Sequence, residues 1–188
     1  TDPKSDCQIL CLSVELILCD TSKMCITHKM RTADLYCGGG GSAEGLSKHA
    51  DLVLGVDHDP NALKCYRMNH PNHEAVEMDL SETRAVIRLL KKRRIELVTG
   101  SPPCTDFSNA GNRIEGARAG LTSKFADIVV GCGAKGAIVE NVPEVLSSNA
   151  FHEFEAKLLA AGFHLVSFVI DASKVGVPQR RRRAFIIA

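Results

Sequence analysis

From residue 32 onward, short apolar runs alternate with segments whose apolar positions recur at helical spacing. Thr32–Cys37, Leu52–Asp57, Ala75–Met78, Ile95–Gly100, Gly136–Asn141, Phe163–Asp171 and Ala184–Ala188 read as strands. Between them, Ser42–His49, Pro60–Met68, Glu82–Arg94, a stretch from about Leu121 to Val130, and Ala150–Ala161 read as helices. Asp59 is placed to cap the helix that opens on Pro60, because a first-turn residue needs no N–H. Ser81 is placed as the cap of the helix from Glu82. That helix has apolar Ala85, Ile87, Leu89 and Leu90 and ends in Lys91–Arg94, cations suited to a helix C-terminus. A polar, glycine-containing loop fills the interval from Ser101 to about Leu121. Such alternation predicts βαβ units: an α/β chain with a doubly wound, mostly parallel sheet and helices on both faces. A sheet of this kind binds ligands beyond the C-terminal ends of its strands.

The chain has 188 residues, enough for one sizeable domain. Apolar residues make up 45% and charged residues 24%, which excludes disorder, collagen and coiled coil. Lys and Arg total 23 against 22 Asp and Glu, so overall charge points to no strongly charged partner. The balance is uneven, since Lys174 and Arg180–Arg183 face no acidic residue from position 174 to the end. The longest apolar run, Ile9–Cys19, is broken by Ser13 and Glu15 and is too short to span a bilayer. The acidic opening, Asp2 and Asp6, makes a poor signal peptide, and a first residue other than Met is expected of a fragment or a processed chain. An intracellular setting is therefore expected, cytoplasmic in a prokaryote or nuclear in a eukaryote, with the eight cysteines as reduced thiols. Cys7, Cys11, Cys19 and Cys25 lack the paired spacing of a zinc site, so small apolar filler is preferred and no metal is expected. Residues 1–30 form an N-terminal extension without an evident role.

The unusual residues fall at predicted strand ends. Asp34–Gly45 carries four consecutive glycines, Gly38–Gly41, between a strand and a helix, where a backbone can turn tightly and approach a ligand closely. Such a turn alone is weak evidence, but Asp57 ends the next strand, where a carboxylate can accept from ribose hydroxyls. His58 beside it can lie against an adenine ring or stand in solvent. The pattern does not separate a nicotinamide cofactor from S-adenosylmethionine. The fourth strand runs into Ser101-Pro102-Pro103-Cys104, whose prolines stiffen the approach to the thiol, and polar Thr105, Asp106 and Ser108 set this loop apart from core. Glu140 lies near the end of the next strand, and adjacent strands would let Cys104 and Glu140 share a cleft. Gly176–Arg183 places four arginines before the last strand, a pattern that serves equally as a solvated face or a phosphate grip.

Together, the glycine turn, Pro102-Pro103-Cys104, Glu140-Asn141-Val142 and Gln179-x-Arg181-x-Arg183 resemble, in order and spacing, the cytosine-C5 DNA methyltransferase family, over residues 31–188. The resemblance implies a Rossmann-like S-adenosylmethionine-dependent methyltransferase fold with an antiparallel last strand. It implies methyl transfer from S-adenosylmethionine to C5 of a cytosine flipped out of duplex DNA. Cys104 would add to C6 of the base, and Glu140 would hydrogen-bond its amine and N3. Arg181 and Arg183 would hold the base carbonyl, the Cys104 loop or target phosphates. Tyr36, Gly38 and Gly40 would line the methionine side of the cofactor. Asp57 would hold the ribose, His58 and Asp79 would meet the adenine, and Pro102 would border the pocket. Arg118 and Gln179 would contact nucleic acid.

Two departures qualify this. Thr105 follows Cys104 where many members carry Gln, and the glycine run is unusually rich. Neither the family's target-recognition region nor its final Gly-Asn motif is found in the sequence, so weak or absent activity is expected of this chain alone, with a second polypeptide as one source of recognition. Two other classes stay open: an RNA (tRNA) cytosine-C5 methyltransferase, and a non-catalytic regulatory or DNA-binding partner. No membrane role is expected.

Overall fold

The structure, a computed structural model, describes residues 29–103 and 120–188. Cys104, Thr105, Asp106, Ser108 and Arg118, with Cys7, Cys11, Cys19 and Cys25, lie outside the described residues.

Among the described residues, seven strands and five helices alternate as the pattern predicts. The strands are β1 (Arg31–Leu35), β2 (Asp51–Asp57), β3 (Glu74–Glu77), β4 (Leu97–Gly100), β5 (Gly136–Asn141), β6 (Val166–Asp171) and β7 (Arg182–Ile187). The helices are α1 (Gly41–Leu46), α2 (Pro60–Asn69), α3 (Thr83–Lys92), α4 (Gly120–Cys132) and α5 (Asn149–Ala160), with short 3-10 turns at Pro143–Ser147 and Ala172–Lys174. The strands form one sheet in the order β3-β2-β1-β4-β5-β7-β6. All neighbouring pairs are parallel except those of β7, which runs antiparallel to both β5 and β6. The order reverses between β1 and β4, so the crevice beyond these two strand ends is the expected ligand position.

Two apolar layers sandwich the sheet. The larger joins strand residues such as Leu35, Val98 and Val139 to Val86, Leu90, Phe125, Ile128, Phe154 and Leu158 of α3, α4 and α5. The smaller sits beneath α1 and α2 and consists of Cys37, Ala43, Leu52, Leu63 and Tyr66. Each fully buried side chain of this size contributes about 1.5–3 kcal/mol over its exposed state. No helix among the described residues is long and apolar enough to cross a membrane.

Local chemistry sets the boundaries. Asp59 caps α2 as expected, its Oδ1 accepting from the Asn61 N–H at 2.8 Å with Pro60 behind it. Ser81 does not cap α3. Its N–H instead donates to Asp79 Oδ1 at 2.8 Å in a side-chain-closed turn, and Glu82 takes the cap position without a side-chain bond. The helix consequently starts at Thr83 and buries Val86 and Leu90, leaving Ile87 and Leu89 only partly covered. Strand β1 stops at Leu35 rather than Cys37 because Tyr36 turns into the left-handed region at φ 57°. The last strand begins at Arg182 rather than Ala184, which takes Arg182 and Arg183 out of the preceding turn and into the sheet.

Candidate functional site

The β1–α1 turn and the segment after β4 face each other across the switch point. Leu35 pairs with Gly100, so Tyr36–Gly41 and Ser101–Pro103 leave the sheet side by side. A Cβ at Gly100 would sit 2.6 Å from the Leu35 carbonyl oxygen, so this approach is open only to glycine.

Asp57 closes one side of the glycine turn. Its Oδ2 accepts from the Gly38 N–H at 2.9 Å and its Oδ1 from the Asp59 N–H at 3.0 Å, with His58 Nδ1 3.2 Å from the same Oδ1. A carboxylate has further lone pairs, so these bonds leave acceptor capacity for a ligand hydroxyl. His58 is largely exposed beside it. Asp79 follows β3, and the Ser81 N–H holds its carboxyl below the usual range. The Tyr36 hydroxyl is buried without a hydrogen-bond partner. Burial, then the charges of Asp79 and Asp57, raise its pKa, so it remains a neutral donor. Cys37 is buried and its thiol is pushed up to about 12, chiefly by burial, so it stays protonated and is no nucleophile.

This arrangement fits the S-adenosylmethionine that the resemblance implies. Tyr36 offers an unused buried donor, and open space surrounds the position a Cβ would take at Gly38. Two carboxylates at the ends of adjacent strands suit a ligand bearing hydroxyls, an amine and a positive charge.

The second half of the site lies at the ends of β4, β5 and β7. Strands β4 and β5 are neighbours, as expected, with Gly100 opposite Val139. Pro102 and Pro103 therefore lead toward Glu140. The buried Asn141 ties the two together, its Nδ2 donating to the Pro102 carbonyl at 3.2 Å and its Oδ1 accepting from the Val142 N–H at 2.8 Å. Because β7 is antiparallel, its beginning lies at the C-terminal ends of the parallel strands, with Ala184 opposite Asn141. Arg183 accordingly reaches Glu140, Nε to Oε1 at 2.8 Å, both side chains about a quarter exposed.

Arg181 and Gln179 are exposed on the turn between β6 and β7. Asp171 organises that turn, its Oδ1 accepting from the Ser173 N–H and hydroxyl and from the Arg181 N–H. The structure thus brings together Tyr36, Gly38, Gly40 and Asp57 on one side and Pro102, Glu140 and Arg183 on the other. Thr99 and Asp171 were not singled out from sequence, and Asn141 entered only as a member of the Glu140-Asn141-Val142 motif, with no role assigned. A polar residue at the end of a predicted strand is the one signal each carried.

The C-5 cytosine-specific DNA methylase family matches residues 30–188. The chain is 40% identical to the Type II methyltransferase M.HgiDI of Herpetosiphon aurantiacus over 162 residues, which cover 84% of the chain and 52% of that protein. It is 33% identical to M.HindV of Haemophilus influenzae over 160 residues, again covering 84% of the chain and 52% of the relative. The chain therefore spans about half the length of these relatives. Among solved structures, the fold is similar to the Dnmt2 methyltransferase of S. pombe, with a TM-score of 0.70, 23% identity, and coverage of 84% of this chain and 48% of that one. The Entamoeba histolytica methyltransferase EhMeth gives a TM-score of 0.73 at 20% identity, covering 86% of this chain and 53% of that one.

Proposed function

Because the chain belongs to the C-5 cytosine-specific DNA methylase family, we propose that the protein methylates C5 of cytosine in DNA. The reaction proceeds through a transient bond from Cys104 to C6, with the base flipped out of the duplex. The observation that carries the reading is the Glu140–Arg183 ion pair beside the Pro102 segment, held there by Asn141.

C5 of cytosine is a poor nucleophile while the ring is aromatic. Addition of the Cys104 thiolate to C6 forms a C–S bond and pushes the ring electrons toward C5. Bound S-adenosylmethionine supplies an electrophilic methyl group for the carbon so activated. Glu140 hydrogen-bonds N3 and the exocyclic amine, where charge develops as the thiolate adds. Arg183 fixes the orientation of that carboxyl and offers remaining donors to the base carbonyl. A base then takes the C5 proton, the electrons of that C–H bond re-form the C5–C6 double bond, and the Cys104 sulfur leaves with the electron pair of the C–S bond. Asp57 orients the ribose, while His58 and Asp79 meet the adenine and Tyr36, Gly38 and Gly40 border the methionine portion. Arg181 and Gln179, exposed on the β6–β7 turn, together with Arg118, contact the nucleic-acid backbone.

The test is mechanism-based trapping with the full-length protein. A duplex oligonucleotide carrying 5-fluorocytosine cannot lose a proton from C5, so with S-adenosylmethionine it is expected to give a stable adduct. Cys104→Ser should abolish the adduct. An adduct formed only with a fluorocytosine-containing tRNA would reassign the substrate to RNA. No adduct with either would remove the covalent mechanism.

A further inference from the structure

The glycine turn is held from behind by a part of the chain that the reaction does not touch. Two consecutive carbonyls, those of Gly39 and Gly40, accept from Asn69 Nδ2 at 2.9 Å and from His70 Nε2 at 3.1 Å. A carbonyl can only accept, so His70 carries its proton on Nε2. His70 is buried and is braced in turn by Tyr66, ring centroids 5.0 Å apart, and by His73, which lies parallel to it at 5.1 Å. Tyr66 is fully buried, and its hydroxyl and His73 Nδ1 lie 3.2 Å apart. A Cβ at Gly40 would overlap the His70 imidazole, so ring and turn meet in direct contact.

We infer that Asn69 and His70, at the end of α2, are positioning residues that select the cofactor-binding conformation of the glycine turn. The inference rests on the cofactor reading proposed above. Four successive glycines have access to both signs of φ, and this turn needs φ 53° at Gly38 and 95° at Gly40. Left to itself, such a turn would sample many shapes and bind a cofactor only in some of them. Asp57 fixes its leading N–H, while the Gly40 N–H donates to the Cys37 carbonyl at 2.9 Å and the Gly40 carbonyl accepts from the Glu44 N–H at 3.1 Å. This leaves the Gly39 carbonyl and the second lone pair of Gly40 to side chains. The two α2 side chains fix the orientation of the next two carbonyls, and a planar peptide carries each following N–H with its carbonyl. Helix α1, six residues long, is too short to impose that order.

The test compares His70→Gln, His70→Leu and Asn69→Ala in the full-length protein. S-adenosylmethionine affinity is measured by calorimetry, DNA affinity by titration, and amide exchange at residues 38–42 without ligand. His70→Leu and Asn69→Ala should each weaken cofactor binding about five- to tenfold, the worth of one buried hydrogen bond. DNA affinity should not change, and exchange in the turn should accelerate. His70→Gln, whose amide can still donate, should recover most of the lost affinity and protection. Equal effects of Gln and Leu, or wild-type affinity and exchange in all three variants, would overturn the latch. Failure of the wild-type protein to bind S-adenosylmethionine would instead reject the cofactor reading, and the exchange rates would still judge the latch.

Discussion

Asp34 lies buried in β1 with one carboxyl oxygen accepting from the Thr99 hydroxyl at 3.1 Å and the other unpartnered. Burial pushes its pKa to about 7 from an ordinary 3.8, the nearby Asp57 charge adds to the rise, and the Thr99 bond opposes it. The folded state thus holds this proton more tightly than the unfolded chain does. The stability that follows is fully present below about pH 4 and is lost as pH rises toward 7. Asp34→Asn should therefore gain on the wild type, by on the order of 2–4 kcal/mol, between pH 4 and pH 8. Urea unfolding of both proteins across that range checks it, and parallel curves would refute the shift. Arg183 makes a different prediction. Its pair with Glu140 is partly solvated, so Arg183→Ala should cost less than about 1 kcal/mol of stability. Methyl transfer in a single turnover should nevertheless fall about 100- to 1000-fold, with cofactor affinity unchanged, because a donor aimed at developing charge is lost.

At the scale of elements, the residues that join one strand end to its neighbour matter most. Asn141 is the one buried side chain described that bonds β5 to the Pro102 carbonyl. Asn141→Ala should lower stability by about 1–3 kcal/mol through the unsatisfied groups it leaves. It should slow adduct formation at Cys104 at least tenfold while S-adenosylmethionine binding persists. Calorimetry and trapping kinetics on the same variant separate the two effects. Most elements were legible in the sequence because their periodicity is strong, as in β2, α2 and β5. Ser81 was misplaced as a cap because two side chains compete for that turn. Asp79 captures the Ser81 N–H first, a choice that spacing alone does not decide.

Across the whole molecule, the antiparallel insertion of β7 between β5 and β6 assembles the site. The arginine motif runs into the first residues of β7, so in a parallel strand it would lie at the opposite end of the sheet from Glu140. Running backward, the strand delivers Arg183 to the edge where β4 and β5 end. The cofactor half is complementary: a ligand that binds only the folded state stabilises it by mass action. S-adenosylmethionine at a hundredfold excess over its Kd should add about 2.7 kcal/mol to the unfolding free energy. Asp57→Ala, which removes both the Gly38 contact and the proposed ribose acceptor, should abolish that increment. Thermal unfolding with and without the cofactor reads it directly.

Local patterning determined the strand–helix alternation, the glycine turn, the stiffened approach to Cys104 and the types of residue that crowd the strand ends. These are short-range properties, set by backbone propensity and by what each side chain can do chemically. The direction of β7, which the family resemblance implied but no local pattern marks, is decided by tertiary structure, as are the grip of Asn69 and His70 on the turn and the meeting of Glu140 with Arg183. Each depends on which distant segments become neighbours when the two faces of the sheet are buried, and that choice leaves no periodic trace along the chain.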